Sequence, residues 1–293
     1  MANSSREIRR RIKATQNIAK ITKAMELVAA SKMRKAQAQA LSSRSYAVLS
    51  SELLSALAAQ SDYLKHPLIK RILPEDQKLP TQRILVVLIT SDRGLAGALN
   101  TNVINKALNL LKLEGLGRFD LITVGKKAAD AGRRLRLSVV AAFSGKDRNL
   151  SILDAKPIAE IAINDYLAFI YEKVFVVYTD FISTLRQTPN IIQVLPFTNH
   201  RSPLTDHDEI LFEPNPDEVL EKFLYRAVEF TVFQAMVEAV ASEHSARMVA
   251  MRNANEAAGD LIDDLFLTYN QARQAGITKE LSEISAAKLA MEG

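Results

Sequence analysis

Residues 4–40 read SSREIRRRIKATQNIAKITKAMELVAASKMRKAQAQA, with no glycine or proline and with small or apolar residues at alternating steps of four and three. Ile8, Ile12, Thr15, Ala19, Thr22, Ala29, Met33, Ala36 and Ala40 occupy that track, and Glu26 is its one charged step. A repeat of about 3.5 residues keeps one seam of a helix on a partner helix at the cost of slight left-handed supercoiling. Ile18, Ile21, Met25 and Val28 form a neighbouring track, and the two together predict one broad apolar face. Arg6, Arg9, Lys13, Lys20, Lys23, Arg34 and Lys35 cluster opposite. Ser4 with Glu7 makes a capping box at the start. No breaker occurs before Pro67, so the spacing predicts a helix to about Gln60, roughly 85 Å long at 1.5 Å per residue.

The other end of the chain mirrors this pattern. Asn215, Pro216 and Glu218 supply a cap, a first-turn proline and a capping-box acid. A seven-residue stripe follows through Phe223, Phe230, Val237, His244, Met251, Ala258 and Leu265. A second runs through Ala227, Gln234, Ala241, Met248, Asn255, Ile262 and Tyr269, where the polar members could set register. Gly259 and Gly276 interrupt the composition but not the periodicity, so they read as weak spots within a helix. Two long terminal helices predict an antiparallel coiled-coil rod: residues 1–66 and 216–293, with residues 67–215 inserted between them.

The insert alternates strand and helix. Arg83–Thr90 (RILVVLIT) is a continuous apolar run of buried-strand length, followed by the turn SDRGLAG and a helix near Leu99–Leu113. Phe119–Val124, Leu137–Phe143 and Val174–Thr179 read as further strands, with a short helix after Gly125 and a longer one at Ile152–Ile170. Ile191–Leu195 reads as an edge strand before a polar loop around Asn199–Asp208. The pattern predicts a small, mostly parallel sheet with helices on its faces, hence an α/β domain carried by a long antiparallel coiled coil.

Charge is segregated. The formal net charge of the 293 residues is +5. The first 35 carry ten basic side chains against two acids, while residues 217–293 carry thirteen acids against seven bases. Charge matching between the two rods and a basic surface for a partner both account for this segregation. There is no cysteine, which removes disulfides, thiol nucleophiles and thiolate metal sites. No apolar run is long enough to span a bilayer, and MANSSREIRRR lacks the apolar core of a secretory signal.

Catalytic chemistry finds no footing here. SDRGLAG is neither a dinucleotide fingerprint nor a P-loop, and Gly125-Lys126 and Gly145-Lys146 lack the required context. A tight turn with Asp92 or Arg93 making local contacts is the better reading. His66, His200, His207 and His244 do not share metal-ligand spacing. The residues therefore predict no catalytic, cofactor or metal site in this chain. A nucleic-acid helix is disfavoured as well, because residues 1–45 hold no aromatic side chain to stack on bases.

Three stretches nevertheless coincide in order: ITKAMELVAASKMRKAQ (Ile21–Gln37), SDRGLAG (Ser91–Gly97) and ARMVAMRNANEAAGDLIDDLFLTYNQARQAGITKELSEI (Ala246–Ile284). Together they resemble the gamma subunit of the F-type, bacterial ATP synthases, over essentially the whole chain. The resemblance implies a central rotor shaft, non-catalytic itself, inside a ring of three alpha and three beta subunits. Its foot would rest on the epsilon subunit and the membrane-embedded c-ring, with Mg-ATP and Mg-ADP held only by the partners. Proton flow would turn the ring and the shaft, and the shaft's asymmetry would drive the three beta sites through different nucleotide affinities.

By the same resemblance Met25 would pack near acidic lever loops of beta, with Lys32 and Arg34 nearby. Arg247, Arg273, Gln274, Thr278 and Glu280 would contact the head or help couple rotation. The family turn is commonly DRGLCGG, whereas Ala96 and Ala98 stand here, and the cysteine pair of the chloroplast members is missing, so thiol control is not expected. The absence of an organellar presequence suggests a peripheral location on the cytoplasmic face of a bacterial membrane. The alternatives are a rotary stalk of the vacuolar type, a basic coiled-coil binder of nucleic acid, and a nucleotide-using α/β enzyme. The strands of the insert argue against the first, and the missing phosphate site against the last.

Overall fold

The computed structural model describes residues 5–60, 66–69, 83–114, 119–145, 150–197 and 213–292, and the side chains of all of these except 44–60, 114 and 289–292. Ser4 of the expected N-terminal cap, His200, His207 and the polar loop near Asn199–Asp208 lie outside the described residues. The terminal helices are α1, Ser5–Gln60, and α5, Pro216–Glu292. At α5 the expected cap is present: the Glu218 N–H donates to Asn215 Oδ1 at 2.9 Å, and Asn215 Nδ2 donates to Glu218 Oε1 at 3.2 Å. Helix α5 continues through Gly259 and Gly276 without a break.

The chain divides into two compact units, the first formed by residues 1–29 with 247–293 and the second by 30–246. In the first, Ile8, Ile12, Thr15, Thr22 and Ala29 of α1 are buried, as are Met251 and Ala258 of α5. The seam is lined by small residues, and the Thr15 and Thr22 hydroxyls are satisfied by donating to Arg11 O and Ile18 O within α1. In the second unit Ala36 packs with Ala241 and Phe181. Lower numbers of α1 thus go with higher numbers of α5, which is the antiparallel arrangement the two sequence patterns require.

In chain order between these helices come the strands of a five-stranded sheet: β1 (Ile84–Ile89), β2 (Phe119–Val124), β3 (Ser138–Phe143), β4 (Lys173–Phe181) and β5 (Gln187–Leu195). The strand order is β3-β2-β1-β4-β5, with all neighbours parallel except β4 and β5. All six residues of β1 and of β2 are buried, as expected for strands covered on both faces. The period of two sorts them cleanly. Ile84, Val86 and Leu88 join Val103, Ala107, Leu110 and Leu111 of α2 (Leu99–Glu114) on one face. Leu85, Val87 and Ile89 join α4 (Ile152–Leu167) and the Leu220–Ala239 stretch of α5 on the other. The short helix α3 spans Lys126–Arg134. Strand β5 is longer than the sequence suggests and pairs back on β4 as a hairpin; Pro189 is tolerated there because β5 is an edge.

One ionic cluster ties the amino ends of β1, β2 and β4 together. Asp120 is 3 % exposed and accepts from Arg83 Nη2 at 3.0 Å and from the Tyr171 hydroxyl at 3.0 Å. Burial, with the hydrogen bond to Asp120 second, pushes the Tyr171 phenol well above its ordinary range; burial and then the Asp120 charge raise Asp165. Asp120→Ala strands a buried phenol and frees a half-exposed guanidinium, so a loss of about 2–3 kcal/mol is expected in urea unfolding of the purified chain. A loss under about 0.5 kcal/mol, typical of a surface substitution, would show that the cluster holds nothing together.

Candidate functional site

The SDRGLAG turn sits at the carboxyl ends of the parallel strands, where α/β proteins commonly bind ligands. Here its side chains are spent on the protein itself. Asp92 Oδ1 accepts from the Lys126 N–H at 2.9 Å, and Asp92 Oδ2 accepts from the Gly145 N–H at 2.7 Å. One carboxylate thereby caps α3 and fastens the end of β3. Ser91 Oγ donates to Arg93 O at 2.6 Å, and Asn100 Nδ2 donates to Ser91 Oγ at 2.7 Å, closing the turn onto α2. The neighbouring cavity, lined by Thr90, Asp92, Gly125, Met236 and Glu243 among others, measures 30 Å³. That is room for about one water, because α5 fills the crevice. The expected tight turn is present, with Ser91 making its local contact, but the Asp92 contacts are not local: they reach 34 and 53 residues along the chain.

His66 is likewise structural. Its Nδ1 accepts from the Leu68 N–H at 3.2 Å, and burial, opposed by Glu221, lowers its pKa.

The surface of the helices is the remaining candidate, and it differs from the sequence expectation in one respect. The first track of α1 is buried, but the neighbouring track is not: Ile18, Ile21 and Val28 are 54 %, 59 % and 58 % exposed, and Met25 is half-buried. The single broad face splits into a narrow seam and an uncovered stripe. The physical reason is geometric, since one partner helix can cover only the seam, and Ile18 to Val28 lie about a quarter-turn away from it. On α5, Leu261, Phe266 and Leu267 are also exposed.

Beyond Ala272 every described side chain of α5 is exposed. Within that run Ile277, Leu281 and Ile284, at steps of four and three, form a further apolar stripe. Arg273, Gln274, Thr278 and Glu280 share the run; Arg273 and Glu280 fall on one face, Gln274 and Thr278 one above the other. Lys32 and Arg34 of α1 are exposed, whereas Arg247 is 8 % exposed. The sequence-named residues are therefore distributed along the helices and do not converge on a pocket. The apolar stripes were missed by sequence reading because adjacent helical tracks look like one seam until the partner's width is known.

A family profile described as ATP synthase matches residues 4–291. The chain is 41 % identical over 286 residues to the ATP synthase gamma chain of Dehalococcoides mccartyi, covering 97 % of each. It is 39 % identical to that of a Roseiflexus species, covering 98 % of each. Among solved structures, the central stalk and c-ring of Tetrahymena thermophila mitochondrial ATP synthase contain a chain that matches with a TM-score of 0.61 at 26 % identity, over 80 % of this chain and 99 % of that one. A chain of the Euglena gracilis enzyme matches with a TM-score of 0.67 at 21 % identity, over 98 % and 94 %, a likeness of fold.

Proposed function

The chain belongs to the ATP synthase gamma family, and from that premise we propose that it is the central shaft of a rotary, ion-driven ATP synthase, catalysing nothing itself. The observation that carries the reading is the pair of uncovered apolar stripes: Ile18–Val28 on α1, beside a seam that is already closed, and Ile277–Ile284 on the part of α5 where every described side chain is exposed. Exposed aliphatic rows on a two-helix rod call for an enclosing sleeve. A ring of three alpha and three beta subunits, holding Mg-ATP and Mg-ADP, is that sleeve.

The surface chemistry suits a part that must turn. Apolar contact is non-directional, so a smooth aliphatic stripe slides past a ring of similar chemistry without a fixed register. The exposed cations, Lys32 and Arg34 among them, meet acidic loops of beta through ion pairs that are individually weak and easily exchanged. Met25 lies between these features as a flexible contact. Arg273, Gln274, Thr278 and Glu280 offer hydrogen-bonding groups near the far end of α5, and Arg247 acts from a buried position. The sheet domain and the lower helices form the foot, which rests on epsilon and the c-ring. Attachment at the cytoplasmic face is through those partners; no described helix is long and apolar enough to cross a membrane.

The test is recovery of the tagged chain from its native membranes with subunit stoichiometry and ATPase activity. One copy per three alpha and three beta is expected, with ATP-driven pumping reduced when the chain is cut after Ala272. An active head isolated in stoichiometric form without this chain overturns the shaft reading.

A further inference from the structure

Between Ala235 and Ser245 helix α5 is buried on nearly every side, yet it carries Glu238, Ser242 and Ser245 there. These lie at i, i+4 and i+7, one above the other on a single face. Each meets a different point of the β4–β5 hairpin. The Tyr178 hydroxyl lies between Glu238 of α5 and Asn190 of β5 and interacts with both, and Glu238 Oε1 accepts from Gln234 Nε2 at 2.7 Å. Ser242 Oγ, 0 % exposed, donates to Thr179 O at 3.1 Å. Ser245 Oγ, also 0 % exposed, donates to Thr184 O at 2.6 Å and accepts from Gln187 Nε2 at 3.3 Å. Gln187 Nε2 in addition donates to Ser183 O at 3.1 Å and Thr184 O at 2.9 Å, so the hairpin end is itself braced.

The Ser242 and Ser245 hydroxyls satisfy hairpin carbonyls, Thr179 O and Thr184 O, which accept from them. The adjacent Ala241 sits with Ala36 and Phe181 in an apolar cluster, and alanine at 242 or 245 would remove a hydroxyl that folding must desolvate. The apolar packing of Leu220–Ala239 against the sheet already resists rotation of α5, but it does so through many shallow contacts that can yield by small steps. A hydrogen bond is lost within a few tenths of an ångström or a few tens of degrees. Three such bonds spaced along two turns define both the height of α5 and its angle about its own axis.

We infer that Glu238, Ser242 and Ser245, with Tyr178, Thr179 and Thr184, form a torsional key that makes α5 and the sheet domain turn as one body. They are positioning residues for coupling. The inference rests on the shaft reading: torque from the foot enters the sheet domain and must reach α5 without slip.

The variant Tyr178→Phe/Ser242→Ala/Ser245→Ala deletes three hydroxyls with little change of shape. In the assembled complex, within inverted membrane vesicles, ATP hydrolysis and proton pumping are measured together against an opposing gradient. Protons pumped per ATP are expected to fall at least ~2-fold while ATPase and subunit content are kept, as loss of directional bonds in an intact apolar contact predicts. Thr231→Ala removes a hydroxyl of α5 that donates only to Ala227 O, and its ratio is expected to stay at the wild-type value. An unchanged ratio in the triple variant overturns the key. Should the triple variant not assemble, Ser245→Ala is measured in its place: a lowered ratio supports the key, and an unchanged one overturns it. Wild-type chain that is absent from the active complex sinks the shaft reading instead, so the two failures are distinguishable.

Discussion

Gly125→Ala is expected to cost about 3–5 kcal/mol, enough to leave a domain of ordinary stability largely unfolded or poorly accumulated. Gly125 links β2 to α3 with φ 96° and ψ 146°, a region essentially reserved for glycine. A Cβ at this position would lie 2.2 Å from the Thr90 carbonyl oxygen and 2.9 Å from Thr90 Oγ1. Neither atom can retreat cheaply. The Thr90 N–H donates to Val124 O at 2.8 Å, and Thr90 Oγ1 accepts from the Ala128 N–H at 2.7 Å. Gly125 itself donates its N–H to Phe143 O at 2.7 Å, so shifting it loosens β3 as well. Gly94→Ala is the matched comparison: a Cβ there meets nothing within 4 Å. Urea unfolding of the two variants is expected to separate them by several kcal/mol. Equal midpoints would show that the β2–α3 turn relaxes freely and that the close approach is not a constraint.

Much of this fold is legible because its signals are local and repetitive. The seam of α1 can be read residue by residue, since an aqueous coiled coil leaves its period in the sequence. The buried strands β1 and β2 read as continuous apolar runs for the same reason, that both their faces are covered. The α5 cap is legible in Asn215 and Glu218 because the groups that satisfy the first turn are close in sequence.

What stays hidden depends on distant partners. Gln234 and His244 look like weak points of a seam. In the structure Gln234 bonds to Glu238, and His244 is buried, because α5 meets the sheet and not only another helix. The antiparallel pairing of β5 follows from the tight turn at Ser183–Arg186, whose N–H groups donate to each other's carbonyls, and not from the strand composition. The candidate contact residues were legible only through family resemblance. Lys32, Arg273 and Thr278 make no arrangement within the chain that composition or spacing would single out.

The uncovered stripe on α1 allows the interface to be separated from the fold. In Ile21→Glu/Val28→Glu both substituted side chains point to solvent in the free chain, where the residues they replace are 59 % and 58 % exposed. Stability of the purified chain is therefore expected to change by no more than about 0.5 kcal/mol per site. Assembly should respond very differently. An apolar sleeve that closes over this stripe would have to take up two carboxylates, each desolvated and without a partner. Such a charge costs several kcal/mol even after relaxation, and every 1.4 kcal/mol is tenfold in affinity, so association with the alpha–beta head is expected to weaken by more than about 100-fold. Thr22→Glu is the converse case. Thr22 is buried in the seam with its hydroxyl bonded within α1, so a carboxylate there should unfold the helix pair before any partner is met. Reconstitution of the head with each purified chain, read beside its circular dichroism melt, distinguishes the two. If Ile21→Glu/Val28→Glu melts early and assembles normally, the stripe belongs to the fold and the sleeve argument fails. If it melts normally and does not assemble, the exposed aliphatic row is the surface on which the shaft turns.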